Sequence, residues 1–368
     1  MGNELLQQGC DVMLLISPKD VDQHAVRTAR GMQVVTLPAV GLGRGNIAGF
    51  VKGFRASYCE AKRVFASRPP QAVLAMGGFT SAPPVLAGRK FRAATFLHES
   101  NAIPGRANRL LAWFVSQAFV GFSSCANRLH TNEVLVTGTP VRPQFTRGDA
   151  AGTRVALGLQ PQRDTLLVVG GSQGASAVNQ LVVRCLADLR ASLPDIQFLH
   201  LTGPKDHEKI AAAYREAGAM AVVRPFLTEM ELALNAATVA ISRSGGSSLA
   251  EFAALRVPAI LIPYPAATDD HQFHNARALV ETGAARMLGE QRATPENLAR
   301  MVQELMTNAA ERRRLAGALA EWHQPNAARI IAEAILKKNS RWKLKLMTSA
   351  PTPELYREGR DEPAVLVK

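Results

Sequence analysis

Short apolar runs rich in β-branched residues alternate with longer amphipathic segments along most of this chain. Short runs bounded by Gly, Pro or polar residues are typical of buried strands, and helical periodicity is typical of surface helices. Strands are predicted in the first half at Asp11–Ser17, Met32–Pro38, Ala72–Met76, Ala94–Leu97, Gln117–Phe122 and Val134–Thr137. In the second half they are predicted at Leu166–Val169, Gln197–Thr202, Ala221–Arg224, Val239–Ser242, Ala259–Pro263 and Ala285–Leu288. This alternation predicts an α/β protein with parallel sheets.

The length of 368 residues suits two domains better than one. The segment Gly138–Thr153 is rich in Gly, Pro and polar residues, as linkers are. We therefore predict a first domain over residues 1–140, a linker over 141–153 and a second domain over 154–338. Residues 339–368 are rich in proline and basic side chains and lack periodicity, which predicts a disordered tail.

One turn of the second half combines glycines with small polar residues. The predicted strand Leu166–Val169 runs into Gly170 and Gly171, and an amphipathic segment follows from Ala177. Glycines let a backbone approach a ligand closely, and a helix N-terminus favours phosphate. The same residues also fit a plain βα turn. A third possibility is the Gly-x-Ser-x-Gly nucleophile elbow of serine hydrolases, with Ser172 as the nucleophile.

Polar residues follow other predicted strands as well. The clusters are His98-Glu99-Ser100-Asn101, Ser242–Glu251 and Tyr264–Asn275. Polar side chains at the carboxyl ends of parallel strands are typical of ligand sites, although capped turns have the same composition. His98-Glu99 does not begin a zinc-protease motif, because Ala102 occupies the position of the second histidine.

The charge balance favours anionic partners. The formal net charge is +13 and the sequence pI is about 10.1. Nucleic acid is not expected, because the basic residues are scattered without interleaved aromatic side chains. The four cysteines are far apart, which argues against zinc and disulfides. The sequence shows neither a signal peptide nor an apolar run long enough to span a membrane, so we expect a cytoplasmic or peripheral protein.

One amphipathic helix, predicted over Asn46–Ser67, combines apolar and basic side chains. Apolar residues along it include Ile47, Phe50 and Phe54, and the basic residues Lys52 and Arg55 lie beside them. An ordinary helix packed on a sheet has this pattern. The alternative is a membrane patch that contacts an anionic bilayer.

Several motifs occur together and in an order that resembles a known family. They are Met76-Gly77-Gly78-Phe79, His98-Glu99-Ser100-Asn101, Gly170-Gly171-Ser172-Gln173-Gly174-Ala175, Arg243-Ser244-Gly245 and Asp270-His271-Gln272-x-x-Asn275-Ala276. Over roughly residues 3 to 335 the chain resembles the MurG family, the undecaprenyldiphospho-muramoylpentapeptide β-N-acetylglucosaminyltransferases. The resemblance implies the GT-B fold, in which two Rossmann-like domains with parallel sheets face each other across a cleft.

The resemblance also implies a reaction and its partners. The family transfers N-acetylglucosamine from UDP-GlcNAc to the 4-hydroxyl of the muramoyl sugar of lipid I, with inversion, and so makes the lipid II of peptidoglycan synthesis. Lipid I is a muramoyl pentapeptide linked to undecaprenyl diphosphate. The implied location is peripheral, on the anionic cytoplasmic face of the inner membrane. No Asp-x-Asp element suited to a diphosphate metal is evident, so a metal need not take part; no cofactor is expected, and dependence on a divalent metal stays open.

Site residues follow from the resemblance by position. Those implied to bind UDP-GlcNAc are Asn101, Arg142, Ser172, Leu227, Gly246, Glu251 and Gln272. Among them, Ser172 would meet the diphosphate, the Leu227 backbone the uracil, Glu251 the ribose and Gln272 the sugar. Asn108, Gln173, Asn179 and Arg243 match further family-typical positions in supporting roles.

The sequence departs from the family at its beginning. The family starts with a strand and a loop, Gly-Gly-x-Gly-Gly-His, whose histidine is a candidate general base beside the acceptor diphosphate. This sequence has neither, which leaves His98 and Glu99 as candidates for the base. Loss of a central strand would expose the edges of both neighbours, so we expect the natural chain to begin earlier.

Three alternatives to lipid I glycosylation stay open at this point. A truncated and inactive relative would bind nucleotide sugar without transferring it. Another GT-B glycosyltransferase would use a different acceptor. A serine hydrolase would use Ser172.

Overall fold

The computed structural model describes residues 1–19, 26, 29–41, 46–171, 174–348 and 364–367, the last group and 339–348 by their backbone alone. They form two compact units. The first contains Met1–Thr139 and Asn326–Lys368, and the second contains Pro140–Pro325. Each unit is built on its own parallel sheet with helices between the strands. The predicted α/β fold class is therefore confirmed.

The first unit has a seven-stranded sheet in the order β2-β1-β13-β3-β4-β5-β6. Numbered along the chain, its strands are β1 (Asp11–Ile16), β2 (Gln33–Thr36), β3 (Ala72–Ala75), β4 (Ala94–Glu99), β5 (Gln117–Val120), β6 (Val134–Val136) and β13 (Ala364–Val367). Its helices are α1 (Gly2–Gln7), α2 (Ile47–Ser67), α3 (Ala82–Lys90), α4 (Arg106–Ala112), α5 (Ser123–Ala126) and α15 (Ala327–Thr348).

The second unit has a six-stranded sheet in the order β12-β11-β10-β7-β8-β9. Its strands are β7 (Thr165–Val169), β8 (Gln197–Leu201), β9 (Ala221–Arg224), β10 (Val239–Ser242), β11 (Ala259–Leu261) and β12 (Arg286–Met287). Its helices are α6 (Ala150–Ala156), α7 (Ser176–Arg184), α8 (Leu186–Ser192), α9 (His207–Glu216), α10 (Met230–Ala236), α11 (Gly246–Leu255), α12 (His271–Glu281), α13 (Pro295–Thr307) and α14 (Ala309–Trp322).

The last helix corrects the predicted domain boundary. The sequence prediction gave residues 154–338 to the second domain, but α15 packs into the core of the first unit. Ile331 and Ile335 are fully buried in a cluster that also contains Leu5 and Phe96. Burial of each isoleucine stabilises the fold by about 1.5–3 kcal/mol, which explains why the helix returns to the first unit.

Two described parts of the tail predicted to be disordered have regular structure, while residues 349–363 and 368 lie outside the described residues. Helix α15 continues to Thr348, and Ala364–Val367 form β13 inside the first sheet. This strand pairs in parallel with β1 on one side and β3 on the other, so that Val365 lies beside both Val12 and Ala72. The neighbouring edges that the sequence argument left exposed are therefore hydrogen-bonded, which satisfies their backbone groups.

Helix α2 is confirmed, but its faces are not the ones predicted from a single apolar stripe. Asn46 caps its start by accepting a hydrogen bond from the backbone N–H of Gly49 at 3.0 Å. The fully buried face consists of Gly53, Ser57, Ala61 and Phe65. The buried face differs from the predicted stripe because α2 packs against Val40, whose backbone nitrogen would lie only 2.9 Å from a Cβ placed at Gly53.

Candidate functional site

The glycine turn after β7 depends on close backbone packing. Gly171 and Gly174 have φ angles of +92° and +74°, which side-chain-bearing residues rarely adopt. A Cβ at Gly174 would overlap the carbonyl oxygen of Thr202, and a Cβ at Gly170 would overlap the backbone of Ala175. The turn therefore lies directly on the loop after β8, and α7 begins immediately beyond it.

Helix α7 presents an N-terminus suited to an anion. Ala175 at the cap position has no side-chain acceptor for the first N–H groups, and the first turn carries no acidic residue. Unpaired N–H groups and the helix dipole attract phosphate at such a position. The two residues of the turn that the resemblance singled out, Ser172 and Gln173, lie outside the described residues.

Asn179 connects α7 to the loop after β8. It is fully buried, and its Nδ2 donates to the carbonyl of Thr202 at 2.8 Å and to Asp206 Oδ2 at 2.9 Å. The pKa of Asp206 is lowered mainly by a hydrogen bond from Ser176 and to a smaller extent by the one from Asn179. Asn179 thus joins α7 to the loop after β8, next to the glycine turn.

Two further residues of this network carried no sequence signal. His200 in β8 lies 3.0 Å from Asn179 Oδ1 through Nε2 and 3.1 Å from the Tyr214 hydroxyl through Nδ1. Burial lowers the pKa of His200 to about 3, so the imidazole is neutral. Because Asn179 Oδ1 can only accept, the proton of His200 lies on Nε2. Alternation along a strand does not reveal such a partner, since His200 lies among buried apolar residues.

Arg142 and Glu251 meet in the second unit, although they are far apart in sequence. Arg142 Nη2 lies 3.8 Å from Glu251 Oε1, and the guanidinium lies 4.9 Å from the ring centre of Phe145. Burial is the main cause that raises the pKa of Glu251 to about 7, Arg142 lowers it in part, and Glu231 raises it further. The structure therefore brings together one predicted cation and one predicted ribose ligand.

Gln272 has a side chain of fixed orientation. Its Oε1 accepts hydrogen bonds from the backbone N–H of Tyr264 at 3.0 Å and of Ser244 at 3.4 Å. Because a backbone N–H can only donate, these contacts place the amide oxygen inward and the NH2 group outward. Within the described residues this leaves the NH2 group available to a hydroxyl of a bound sugar.

The turn before Gln272 and the turn after β10 support each other. Ser244 Oγ donates to the backbone carbonyl of Gln272 at 2.7 Å, and Asn275 Nδ2 donates to the carbonyl of Ser244 at 3.0 Å. Asp269 and Asp270 both have positive φ angles, of 52° and 53°. Backbone strain of this kind costs about 1–3 kcal/mol and is common where a site must hold one geometry.

The other predicted residues of the second unit have separate positions. Arg243 is buried and donates to the carbonyls of Ile262 and Pro263 and to Glu290 Oε2 at 2.6 Å, so it braces the turn. Gly246 begins α11, and Leu227 is buried in the loop after β9. Sequence reasoning did not identify Glu290 as the partner of Arg243.

His98 lies fully buried at the end of β4 in the first unit. Its Nε2 lies 3.1 Å from the carbonyl of Gly138, and Nδ1 lies 3.4 Å from Ser100 Oγ. A carbonyl only accepts, so the proton of His98 lies on Nε2, while burial lowers the pKa of the ring. Both nitrogens are engaged with protein groups, so this geometry does not favour His98, a candidate from the sequence, as the general base.

Glu99 accepts hydrogen bonds at both of its oxygens. Oε1 receives the backbone N–H and the side-chain amide of Asn101 at 2.9 and 2.8 Å. Oε2 receives the N–H of Gly105 at 3.0 Å and the side-chain amide of Asn108 at 2.6 Å. Glu99 thus organises the segment from Asn101 to Asn108, and it brings together three residues predicted for the site. This geometry suits a positioning residue rather than a general base.

The apolar residues of the predicted membrane patch differ in exposure along one stripe of α2. Ile47 is 67% exposed, and Lys52 and Arg55 are also exposed. Phe50 and Phe54 are half-buried and lie with Phe79 in an aromatic cluster whose neighbouring ring centres are 6.3 and 6.1 Å apart. Val51, which is 58% exposed, joins Ile47 on the outer side.

The described part of the chain holds no group of three His, Cys, Asp or Glu side chains that could bind a metal ion. None of its helices is long and apolar enough to cross a bilayer.

Known proteins share both units of this chain. Residues 1–120 match the N-terminal domain of glycosyltransferase family 28, and residues 165–335 match the C-terminal domain of that family. A UDP-N-acetylglucosamine–N-acetylmuramyl-(pentapeptide) pyrophosphoryl-undecaprenol N-acetylglucosamine transferase of Anaeromyxobacter sp. (strain K) is 35% identical over 330 residues, which cover 85% of this chain and 84% of the relative.

Two more proteins extend this similarity. The same transferase of Pelobacter propionicus is 34% identical over 341 residues, with 84% of this chain and 90% of the relative covered. The crystal structure of Acinetobacter baumannii MurG superposes with a TM-score of 0.68 and 27% identity, over 91% of this chain and 94% of that one. The chain therefore belongs to glycosyltransferase family 28, among the MurG transferases, and has their GT-B fold.

Proposed function

We propose that this protein transfers N-acetylglucosamine from UDP-GlcNAc to the 4-hydroxyl of the muramoyl sugar of lipid I and so forms lipid II. One observation in the second unit carries the proposal. Strands β7 and β10 are paired so that Val169 lies beside Ser242. The glycine turn and the Ser244 turn consequently begin side by side, and Ser244 is hydrogen-bonded to Gln272. Adjacent turns at the carboxyl edge of a parallel sheet form a nucleotide site.

Each part of the donor has a matching group in this proposal. The diphosphate lies at the N-terminus of α7, the ribose hydroxyls donate to Glu251, the uracil meets the backbone at Leu227, and the sugar accepts from Gln272. A carboxylate can accept from both hydroxyls of a ribose. Arg142 adds a positive charge beside Glu251.

The reaction breaks the bond between the sugar carbon and the UDP oxygen. Negative charge grows on UDP as the bond lengthens, and the α7 N-terminus stabilises it without proton transfer. The acceptor hydroxyl oxygen attacks from the opposite face and forms the new bond to the sugar carbon as UDP leaves, and the hydroxyl proton is released to water; the configuration at that carbon is inverted. Neither His98 nor Glu99 is assigned the proton of that hydroxyl, because both are engaged within the first unit.

The membrane contact is assigned to the outer side of α2. Ile47 and Val51 would enter the interface of the cytoplasmic leaflet, with Lys52 and Arg55 against anionic headgroups. The relatives carry undecaprenol in their names, which supports an acceptor held in the inner membrane. The protein would thus act peripherally on the cytoplasmic face.

The test is transfer of labelled N-acetylglucosamine to lipid I in mixed micelles. The expected product carries the label on lipid II and requires lipid I. Glu251→Ala serves as the control that removes the ribose ligand. Binding of UDP-GlcNAc without transfer would instead identify an inactive relative, and transfer to another acceptor would identify a different GT-B enzyme. Covalent labelling of Ser172 by a fluorophosphonate would identify a hydrolase.

A further inference from the structure

An exposed aromatic side chain lies next to the Gln272 amide in the second unit. Tyr264, in the turn after β11, is 46% exposed. Its backbone N–H donates to Gln272 Oε1 at 3.0 Å, so the two residues are direct neighbours. The same contact leaves the Gln272 NH2 group facing outward. A hydrogen-bond donor and an apolar ring are therefore offered by neighbouring residues at the carboxyl edge of the second sheet.

Arg243 holds the Tyr264 ring in place. Its guanidinium carbon lies 5.3 Å from the centre of that ring, and a cation over an aromatic face attracts it. The guanidinium is itself anchored, because Nη1 donates to the carbonyls of Ile262 and Pro263 at 3.0 and 3.1 Å and to Glu290 Oε2 at 2.6 Å. A ring that is restricted before a ligand arrives loses little conformational entropy on binding.

The chemistry of Gln272 and Tyr264 matches an acetamido group better than a hydroxyl. An acetamido group has a carbonyl oxygen that accepts a hydrogen bond and an apolar methyl group two bonds away. The NH2 group of Gln272 can donate to that oxygen. The Tyr264 ring can cover the methyl group and remove its apolar surface from water. A hydroxyl at the same sugar carbon would use the donor but leave the ring exposed to water.

We propose that Tyr264 packs against the acetamido methyl group of the donor sugar and so selects an N-acetylhexosamine over the plain hexose. This inference rests on the proposed function, whose donor is UDP-GlcNAc, and names the residue that distinguishes this sugar from glucose. Gln272 orients the acetamido group, and Tyr264 covers its apolar end. The contacts of Glu251 and Leu227 with the nucleoside are common to both donors, so they do not discriminate between them.

Binding of three nucleotides tests the proposal without an acceptor or a transfer reaction. UDP-GlcNAc carries the acetamido group, UDP-glucose has a hydroxyl in its place, and UDP lacks the sugar. Calorimetry on the whole chain should show that UDP-GlcNAc binds at least about tenfold more tightly than UDP-glucose, a difference of about 1.4 kcal/mol. Equal affinity of wild type for the two sugar nucleotides would overturn the proposal.

Variants show whether the ring carries this preference. Tyr264→Ala removes the ring but keeps the backbone N–H that orients Gln272. It should reduce the preference for UDP-GlcNAc to less than about threefold, or about 0.65 kcal/mol, and leave the affinity for UDP unchanged. Tyr264→Phe keeps the ring and should keep the preference, and loss of the preference in this variant would overturn the apolar contact. Met220→Ala shortens another exposed apolar side chain, just before β9, and should behave as wild type.

The same variants separate this inference from the proposed function. If the protein glycosylates lipid I but Tyr264→Ala retains the full preference for UDP-GlcNAc, the role of Tyr264 is wrong and the transferase stands. If the preference is lost in Tyr264→Ala and kept in Tyr264→Phe while wild type fails to use lipid I, the role of Tyr264 stands and the proposed acceptor is wrong.

Discussion

The carboxylate of Glu251 and the guanidinium of Arg142 lie 3.8 Å apart in the second unit, and burial still raises the pKa of Glu251 to about 7. Burial thus outweighs the neighbouring positive charge. A ribose ligand that titrates near neutral pH makes donor binding depend on pH, because only the ionised carboxylate accepts hydrogen bonds from both ribose hydroxyls.

We expect UDP-GlcNAc to bind about tenfold more weakly at pH 6 than at pH 8, since binding competes with one proton at Glu251. Calorimetric titrations across this range measure the change. Glu251→Gln should bind weakly at every pH, with no slope between pH 6 and pH 8. A wild-type affinity that is constant over the range would show that Glu251 is not the ribose ligand.

Glu251 should also make the folded protein less stable in alkaline solution. Its folded pKa is raised from 4.5 to about 7, so its favourable contribution is complete below about pH 4.5 and is lost as pH rises through 7. Glu251→Gln should therefore be more stable than wild type at pH 8, by about 1–2 kcal/mol, and similar to it at pH 5. Chemical denaturation at the two pH values provides the comparison, and a variant that is less stable at pH 8 would contradict it.

Gln272→Glu should weaken the binding of the sugar without changing the binding of the nucleotide. The new carboxylate keeps an oxygen for the N–H groups of Tyr264 and Ser244 but replaces the outward NH2 donor with an acceptor. A lost hydrogen bond of this kind costs about 1–3 kcal/mol, so UDP-GlcNAc should bind at least tenfold more weakly. UDP itself should bind as it does to wild type. Equal losses for UDP and UDP-GlcNAc would argue against a contact between Gln272 and the sugar.

Glu99→Gln tests whether Glu99 positions or catalyses. Its new NH2 group would face either the donors of Gly105 and Asn108 or those of Asn101, and two donors cannot bond to each other. The free energy of unfolding should therefore fall by about 1–3 kcal/mol, with a lower unfolding temperature. The transfer rate should fall while the shape of its pH profile stays the same. Disappearance of the acidic limb with full thermal stability would instead make Glu99 the general base.

Gly171 and Gly174 of the glycine turn after β7 should respond differently to alanine. Gly174→Ala would overlap the Thr202 carbonyl and strain a positive φ, whereas Gly171→Ala has the strained φ but no atom of the described residues within 4 Å of its Cβ. We expect Gly174→Ala to cost about 3 kcal/mol and Gly171→Ala about 1 kcal/mol. Thermal unfolding ranks the two variants, and a reversed order would show that the turn is not packed on the β8 loop.

The positions of strands such as β7 and β10 could be read from the sequence because each is a short, fully buried apolar run between turn residues. Helix α2 was predicted from its amphipathic pattern, but that pattern did not show which of its apolar residues are exposed. Ile47 and Phe50 lie on neighbouring parts of the same apolar stripe, so periodicity cannot show which of them is exposed. The packing of α2 on the loop at Val40 decides this.

The motifs of the candidate site were also visible in the sequence, because glycine-rich turns and polar clusters follow the strands directly. Their partners were not visible. Gln272 depends on Ser244 and Tyr264, Asn179 depends on His200, and Arg243 depends on Glu290. These pairs join residues that are distant in the chain, and no local pattern encodes them.

The sequence by itself determined the α/β alternation, the glycine turn and the family, since all three depend on local residue order. The tertiary structure decided that α15 belongs to the first unit and that residues 364–367 lie between β1 and β3. It also decided that Glu99 is saturated by four donors and that burial outweighs Arg142 at Glu251. These outcomes depend on which groups, distant in the chain, lie together in the folded protein. Only folding buries such groups away from water and brings their hydrogen-bond partners within reach.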